Sequence, residues 1–144
     1  YPMLFDGSVR CVKERAGKGA KVGLVPTKGY KQVLQVARSF CPGGLGGWVS
    51  FVKKPLLAPL ELTIEADERI AADGSVVREL NEHSFRIALE ALHAKGTVEA
   101  LTICFINSYL NSNHEQQARQ IAKHIFTDIP ISISSEIVPD MQEY

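Results

Sequence analysis

The chain has 144 residues, of which 45% are hydrophobic and 22% are charged, and its formal net charge is zero. This is the length and composition of one ordinary globular domain that buries a core without staples. No apolar run approaches the roughly twenty residues of a membrane span, and residues 1–10 lack a signal-peptide pattern. We therefore expect no membrane partner.

The zero net charge hides two oppositely charged parts. Residues 1–54 carry ten Lys/Arg against two Asp/Glu, and residues 55–144 carry six Lys/Arg against fourteen Asp/Glu. A nucleic-acid surface is one interpretation of the basic part. The basic residues are scattered, however, and only Tyr30, Phe40 and Trp48 accompany them as stacking partners. We therefore expect the basic part to fold against the acidic part or a neighbour, with no nucleic-acid partner.

The three cysteines predict reduced thiols and therefore a cytoplasmic protein. Cys11, Cys41 and Cys104 are odd in number and widely spaced, with no CxxC pair, which argues against a disulfide framework and against a zinc site. Cys104 lies within an apolar run, so we expect it to be buried.

The first half of the chain yields one strand and one helix, and residues 1–19 remain poorly assigned. Residues 21–26 predict a short strand, and Thr27-Lys28-Gly29 leads from it into a helix of about ten residues with an apolar face. This turn lacks the Walker spacing, so a capping turn is preferred to a phosphate site.

A glycine-rich loop with an aromatic tip comes next. Gly43, Gly44, Gly46 and Gly47 precede Trp48, and four glycines in five positions disfavour both helix and strand. The loop is either a flexible connector or a substrate or partner loop with Trp48 as its anchor, and we favour the second interpretation.

Residues 60–80 predict a β-hairpin. Residues 62–65 and 69–70 form the first arm and Val76-Val77 the second, with Asp73-Gly74 as a turn in which both residues take positive φ. Asn81 is then the expected cap of a helix that Gly96 ends.

Residues 98–134 predict a right-handed βαβ crossover. The run 101–106 is apolar at nearly every position, as in a parallel strand covered on both faces. Because ligands bind at the carboxyl ends of such strands, we expect two loops to lie side by side there. Their candidate site residues are Asn107 and Ser108 in one loop, and Ser134, Ser135 and Glu136 in the other. A turn in which a serine caps and Glu136 faces solvent is the alternative.

His114-Glu115 suggests a zincin motif, but that motif needs a second His four residues on, where this chain has Ala118. We therefore predict no metal site. The pair is expected to begin a helix, with Asn113 as its cap and Glu115 favourable to the helix dipole.

Several segments in order resemble the N-terminal region of the large ATP-using subunit of the hydantoinase/oxoprolinase family. The matching segments are Gly19 to Val25 with Thr27-Lys28-Gly29-Tyr30, Glu68-Arg69-Ile70 with Asp73-Gly74, Asn107-Ser108-Tyr109 with His114-Glu115, and Ser134 to Pro139 through Glu143-Tyr144. The glycine-rich segment 42–48 is more similar to the acetone and acetophenone carboxylases within this family.

The elements in chain order together predict an α/β fold with a mostly parallel sheet, a βαβ crossover and an added β-hairpin. The resemblance implies that residues 1–144 are one domain fragment of a larger actin-like ATPase-type subunit, with ATP and Mg bound by the full enzyme. The implied partners are the rest of that subunit, companion subunits and a small carbonyl substrate. The implied chemistry is ATP-dependent ketone carboxylation, with cyclic-amide hydrolysis or non-catalytic subunit docking as alternatives. The family's Gly-Gly-Thr phosphate turn is missing, so we expect no ATP binding by this chain alone, and no catalytic residue is assigned.

Overall fold

The computed structural model describes residues 20–36 and 55–140. It has an α/β fold with a parallel sheet and a separate β-hairpin, which confirms the predicted fold class. Its elements, in chain order, are β1 (Val22–Pro26), α1 (Val33–Val36), a 3-10 turn (Leu60–Leu62), β2 (Arg69–Ile70), β3 (Val76–Arg78), α2 (Glu82–Ala94), β4 (Ala100–Cys104), α3 (Asn113–Ile125), β5 (Ile131–Ile133) and α4 (Ser134–Ile137).

The sheet has the strand order β1-β4-β5, and both strand pairs are parallel. In the central strand β4, Thr102 pairs with Leu24 on one side and with Ser132 on the other. Two neighbouring parallel strands joined through α3 form the βαβ crossover that the sequence predicted. The carboxyl ends of all three strands therefore lie at one edge of the sheet.

Both faces of the sheet are covered, because alternate residues of its strands belong to different core clusters. Val25 and Ile103 pack with apolar residues of α2 and α3 in the main cluster. Leu24 and Cys104 pack with Ala58 in a smaller cluster that Leu34 of α1 joins. Cys104 is buried, as predicted, and forms no disulfide among the described residues. Coverage on both faces explains why the β4 sequence is apolar almost throughout.

The β-hairpin consists of β2 and β3 alone, and its turn differs from the prediction. Asp73 does not have a positive φ; within the described residues only Asn107 does so among non-glycines. Gly74 has a φ of 83°, and its N–H donates to the carbonyl of Ala71 at 3.0 Å. Ala71 N in turn donates to Ser75 O at 2.9 Å. This is the three-residue loop in which only the glycine needs the left-handed conformation.

Residues 62–65 do not belong to the hairpin, so this part of the prediction is wrong. Leu62 ends the 3-10 turn, and the segment after it pairs in parallel with β1. Ile64 N donates to Leu24 O and Ala66 N donates to Pro26 O, each at 3.0 Å. The apolar pattern identified an extended segment correctly, but its partner lies about forty residues upstream, where local pattern carries no information.

The helix boundaries agree with the sequence in α2 and differ in α3. The Asn81 side chain accepts from Ser84 N at 3.1 Å, and Gly96, with a φ of 62°, follows the end of α2. In α3 the cap position is Ser112, which makes no side-chain cap bond, and Asn113 is the first helical residue. Asn113 is thus not the cap; its N–H instead binds Asn111 Oδ1 at 3.1 Å. For the predicted helix after Gly29, the structure describes α1 as far as Val36, and residues 37–54 lie outside the described part.

Candidate functional site at the carboxyl ends of the parallel strands

The two loops that follow β4 and β5 lie side by side. Ser108 and Ser134 are both buried, and their hydroxyl oxygens are 2.9 Å apart although the residues are 26 positions apart in the chain. Parallel neighbouring strands end at the same edge, so the loops behind them meet there. The predicted juxtaposition of these loops is confirmed.

The carboxylate of Glu115 joins these loops to the first turn of α3. Its Oε1 accepts from Phe105 N at 2.9 Å and from the Ser134 hydroxyl at 2.6 Å. Its Oε2 accepts from the Ser135 backbone N–H at 2.9 Å and from the Ser135 hydroxyl at 2.6 Å. Glu115 is 0% exposed. A carboxylate offers about four acceptor positions, so four donors satisfy it fully inside the protein.

A second buried chain of polar groups starts at the end of β1. The Thr27 hydroxyl donates to Glu68 Oε1 and its oxygen accepts from Ile106 N at 3.1 Å. Glu68 Oε2 lies 2.8 Å from His114 Nδ1, and His114 Nε2 lies 3.3 Å from Oε2 of Glu79. Thr27, Glu68 and His114 are buried, whereas the Glu79 side chain is 79% exposed. This series of hydrogen-bonded side chains therefore connects the buried edge of the sheet to the protein surface next to the hairpin.

Because His114 and Glu115 are consecutive, one helical turn holds all three strand ends. His114 reaches the end of β1 through Glu68, and Glu115 reaches the ends of β4 and β5. The expectation that Glu115 serves mainly to complement the helix dipole is too simple, since its side chain points into the protein. These two residues therefore connect the carboxyl ends of all three strands to α3.

Asn107 fixes the loop after β4 against the hairpin. Its φ is 61°, a left-handed conformation that non-glycine residues adopt rarely and mostly as Asn or Asp. Its side-chain amide donates to Ile70 O at 3.0 Å, and the Asn111 amide donates to Gly74 O at 2.9 Å. A positive φ held by tertiary contacts often occurs at functional sites.

The remaining predicted site residues fall into two groups. Glu136 is half-exposed and forms an ion pair with Arg119, with Nη1 and Oε1 2.5 Å apart, so it does not point freely into solvent. The glycine-rich loop, Gly43, Gly44, Gly46, Gly47 and Trp48, lies outside the described residues. The structure thus brings Asn107, Ser108, Ser134, Ser135 and Glu136 to one edge of the sheet.

The buried polar groups of this edge bind one another. Within residues 20–36 and 55–140 there is no group of three or more His, Cys, Asp or Glu side chains that could hold a metal ion. The Ser134 and Ser135 hydroxyls donate to Glu115, which fixes the direction of their hydrogens. The arrangement can position the backbone of three strand ends for chemistry that other groups perform.

Sequence reasoning missed Thr27, Glu68 and Glu79 as members of this network. Glu68 contacts residues 41 positions before it and 46 positions after it. In the sequence it lies between Asp67 and Arg69, and a Glu among charged residues gives no sign of burial, because Glu is almost never fully buried unless it is paired. The sign that Glu68 belongs to a hydrogen-bond network is its burial, because a buried carboxylate requires a partner. This burial can be seen only in the folded structure.

The parallel sheet, crossover helix and added hairpin define an α/β unit, and comparison with known proteins gives its family. The family model described as hydantoinase/oxoprolinase N-terminal region matches residues 8–126. The chain belongs to this family.

Three curated relatives extend this comparison. The chain is 34% identical over 125 residues to an uncharacterized protein of Methanocaldococcus jannaschii, covering 86% of this chain and 18% of that protein. It is 28% identical to the caprolactamase subunit alpha of Pseudomonas jessenii, covering 88% and 18%. It is 26% identical to the acetophenone carboxylase gamma subunit of Aromatoleum aromaticum, covering 88% and 19%. The chain therefore spans about a fifth of the length of these relatives.

Two solved structures have the same fold. A nucleotide-free acetone carboxylase superimposes with a TM-score of 0.79 at 25% identity, covering 94% of this chain and 20% of that one. The ATP-dependent caprolactamase of Pseudomonas jessenii gives a TM-score of 0.79 at 26% identity, covering 97% and 20%. In the described part of this chain, none of the helices has the length and apolar character to cross a membrane.

Proposed function

We propose that this chain is part of an ATP-dependent enzyme that acts on a carbonyl compound, most like an acetone or acetophenone carboxylase subunit. The observation that carries this proposal is the equal likeness, with a TM-score of 0.79, to an acetone carboxylase and to a caprolactamase. Acetone is a ketone and caprolactam a cyclic amide, so a carbonyl group is common to both. Carboxylation is preferred because the glycine-rich segment 42–48 is more similar to the ketone carboxylases; cyclic-amide hydrolysis, of the hydantoinase or 5-oxoprolinase type, is the alternative.

Within that enzyme, residues 1–144 act as one domain unit of a larger cytoplasmic subunit. The network around His114 and Glu115 holds three strand ends in fixed positions, which supports a role in shaping one wall of the active site. Asn107, Ser108, Ser134, Ser135 and Glu136 form that wall, and Trp48 with its glycines covers the substrate or docks a companion subunit. ATP and Mg bind in the complete enzyme and not to this chain by itself.

The experiment uses the complete enzyme that contains this chain. ATP consumption is measured with acetone or acetophenone plus bicarbonate, and separately with caprolactam, hydantoin or 5-oxoproline. Consumption that needs both a ketone and bicarbonate supports carboxylation, and consumption that needs a cyclic amide alone supports the hydrolase alternative. ATP consumption that no carbonyl compound stimulates would overturn the proposal. Robust ATP hydrolysis by the 144-residue chain alone would overturn the part of it that places the nucleotide site elsewhere in the enzyme.

A second candidate function is non-catalytic subunit docking. It is favoured by the charge difference between residues 1–54 and residues 55–144, and by the single Trp beside four glycines. Trp48→Ala separates the two functions, with Trp48→Phe as the conservative control. Lost assembly of the complex with normal turnover by the assembled fraction supports docking, whereas lost turnover in an intact complex supports a loop over the active site.

A further inference from the structure

The turn of the β-hairpin contains the dipeptide Asp73-Gly74, whose backbone can react with its own side chain. Among the aspartates of the chain, only Asp6 and Asp73 are followed by glycine, and a serine comes next in both cases. Glycine has no Cβ atom, so the backbone nitrogen that follows the aspartate is sterically unhindered. This nitrogen can reach the side-chain carboxyl group of the preceding aspartate. The hairpin turn therefore carries a candidate site for a covalent modification.

The reaction requires only these two residues and water. The Gly74 nitrogen forms a bond to Cγ of the protonated Asp73 carboxyl group, and the amide hydrogen and the carboxyl hydroxyl leave together as water. The product is a succinimide ring. Water then opens this ring without any oxidation or reduction. Opening at the side-chain carbonyl restores aspartate, and opening at the backbone carbonyl gives isoaspartate, in which the main chain runs through the side chain.

Hydrogen bonds of the turn stabilise both groups in their unreacted form. The Gly74 N–H donates to Ala71 O at 3.0 Å. Asp73 Oδ1 accepts from the Ser75 N–H at 2.9 Å and from the Ser75 hydroxyl at 2.6 Å. Ring closure removes the Gly74 proton and converts the carboxylate into an imide carbonyl, a weaker acceptor than an ionised oxygen. The contacts are therefore stronger before the reaction than after it, which slows ring closure.

The same contacts favour the less reactive charge state of Asp73. The Ser75 hydroxyl, followed by the Ser75 backbone N–H, holds the pKa of the Asp73 carboxyl below its ordinary value of 3.8. An ionised carboxylate is a poor electrophile, because it has no hydroxyl that can leave as water. Asp73 is exposed, so hydrogen bonds rather than burial set this charge state.

We propose that Asp73 is a site of isoaspartate formation and that its contacts with Ser75 hold this reaction back in the folded protein. The modification would act beyond the turn, because Gly74 O accepts from the side-chain amide of Asn111 at 2.9 Å. Isoaspartate lengthens the backbone of a three-residue loop by a CH₂ group, which displaces Gly74 from Asn111. The loop after β4 then loses a contact that fixes it to the hairpin. The reaction needs neither nucleotide nor substrate, so its test is independent of the proposed enzyme activity.

The test follows isoaspartate in the complete enzyme that contains this chain, during incubation at neutral pH. Peptide mapping separates isoaspartate from aspartate by chromatographic retention, since the two forms have the same mass. Ser75→Ala should accelerate isoaspartate formation at Asp73 at least about fivefold, in line with the loss of a hydrogen bond to a charged group. Ser75→Thr keeps the hydroxyl and should stay within about twofold of the natural rate.

The second Asp-Gly-Ser sequence, residues 6–8, serves as an internal standard, although it lies outside the described residues. Ser75→Ala should leave the rate at Asp6 within about twofold. In concentrated urea the contacts of the turn are lost, so Asp73 of the natural chain should convert at least about tenfold faster than in the folded enzyme. In urea the rates at Asp73 and Asp6 should agree within about twofold, with or without Ser75→Ala, because an unfolded chain lacks fixed contacts.

Val77→Ala separates the Ser75 contacts from a general loosening of the hairpin. Val77 is a β3 residue with 66% exposure, and its truncation should leave the rate at Asp73 within about twofold. An acceleration equal to that of Ser75→Ala would overturn the proposal, because hairpin stability rather than Ser75 would then control the reaction. It would also be overturned by a rate in folded Ser75→Ala enzyme no higher than the natural rate, or by equal rates in folded and urea-unfolded natural enzyme.

Discussion

The hydroxyl of Ser134 donates a hydrogen bond of 2.6 Å to the carboxylate of Glu115, and this contact joins the end of β5 to the first turn of α3. Glu115 receives three further donors from Phe105 and Ser135. Both Ser134 and Glu115 are buried, so a broken contact leaves a polar group away from water, which costs free energy. The strand ends are therefore held by a network whose members depend on each other.

Glu115→Gln should lower the free energy of unfolding by about 3 kcal/mol. The amide keeps the shape of the side chain but replaces one acceptor oxygen by a donor NH₂ group, which faces donors in this site. Chemical denaturation at neutral pH measures the change. Glu82→Gln, at an exposed position in the first turn of α2, is the matched control and should change stability by less than about 0.5 kcal/mol. Equal effects of the two substitutions would show that the Glu115 network does not stabilise the fold.

His114 and Glu68 should be energetically coupled. The two side chains are buried and 2.8 Å apart, so His114→Gln and Glu68→Gln each replace one member of the same contact. A double-mutant cycle in chemical denaturation should give a coupling free energy of about 1–3 kcal/mol. Additive effects of the two substitutions would show that the two side chains do not interact.

The contact of His114 with Glu79, at the protein surface, serves as the comparison for the coupling between His114 and Glu68. Glu79 is 79% exposed and its Oε2 lies 3.3 Å from His114 Nε2. Water can replace this contact, so Glu79→Gln should couple to His114→Gln by less than about 1 kcal/mol. A coupling as large as that of Glu68 would mean that Glu79 is held more firmly than its exposure indicates.

Gly23→Ala should destabilise the fold by about 1–3 kcal/mol through overpacking. A Cβ atom at Gly23 would lie 2.9 Å from Cδ1 of Leu101 and 3.3 Å from Cγ1 of Val98. Leu101 is completely buried in the main core cluster, so a shift of its side chain would press on other core residues.

Gly96→Ala serves as a comparison for Gly23→Ala, because it should lower stability for a different reason. Space around Gly96 is open, but its φ of 62° disfavours a residue with a Cβ, at about 1 kcal/mol. Gly96→Asn should recover part of that loss since Asn tolerates this conformation, whereas Gly23→Asn should be worse than Gly23→Ala. Urea denaturation of the four variants checks this order.

The Asp67–Arg78 contact should make stability depend on pH below about 4. The Arg78 hydrogen bond, with a smaller contribution from Lys28, holds the pKa of Asp67 below its ordinary value of 3.8. A carboxyl with a lowered folded-state pKa stabilises the fold above its unfolded pKa, and this stabilisation is lost as pH falls through the folded pKa. The difference in Tm between the natural chain and Asp67→Asn should therefore be largest above pH 4 and shrink toward pH 2.

Arg78→Gln identifies the cause of that dependence. In an Arg78→Gln background, Asp67→Asn should have a much smaller effect at every pH, since the main partner of the carboxylate is gone. A difference between the natural chain and Asp67→Asn that stays constant from pH 7 to pH 2 would contradict the lowered pKa of Asp67.

Local sequence patterns predicted the elements better than their partners. The apolar run of β4 indicated a strand covered on both faces, and the Asn81 cap and Gly96 stop delimited α2, because caps and periodicity act within a few residues. The same reasoning assigned residues 62–65 to the hairpin, although they pair with β1, and it placed a cap at Asn113. In both cases the local sequence allowed more than one hydrogen-bonding partner, and it did not indicate which one the segment uses.

The amino-acid order by itself determined the α/β class, the crossover and the meeting of the loops after β4 and β5, since parallel pairing of consecutive strands has one favoured hand. Only the tertiary structure decided that Glu115 faces inward to Ser134 and Ser135, that Glu68 connects Thr27 to His114, and that segment 63–66 pairs with β1. These contacts join residues 19 to 46 positions apart. Their energy depends on burial, a property that a residue acquires only when distant parts of the chain exclude water from around it.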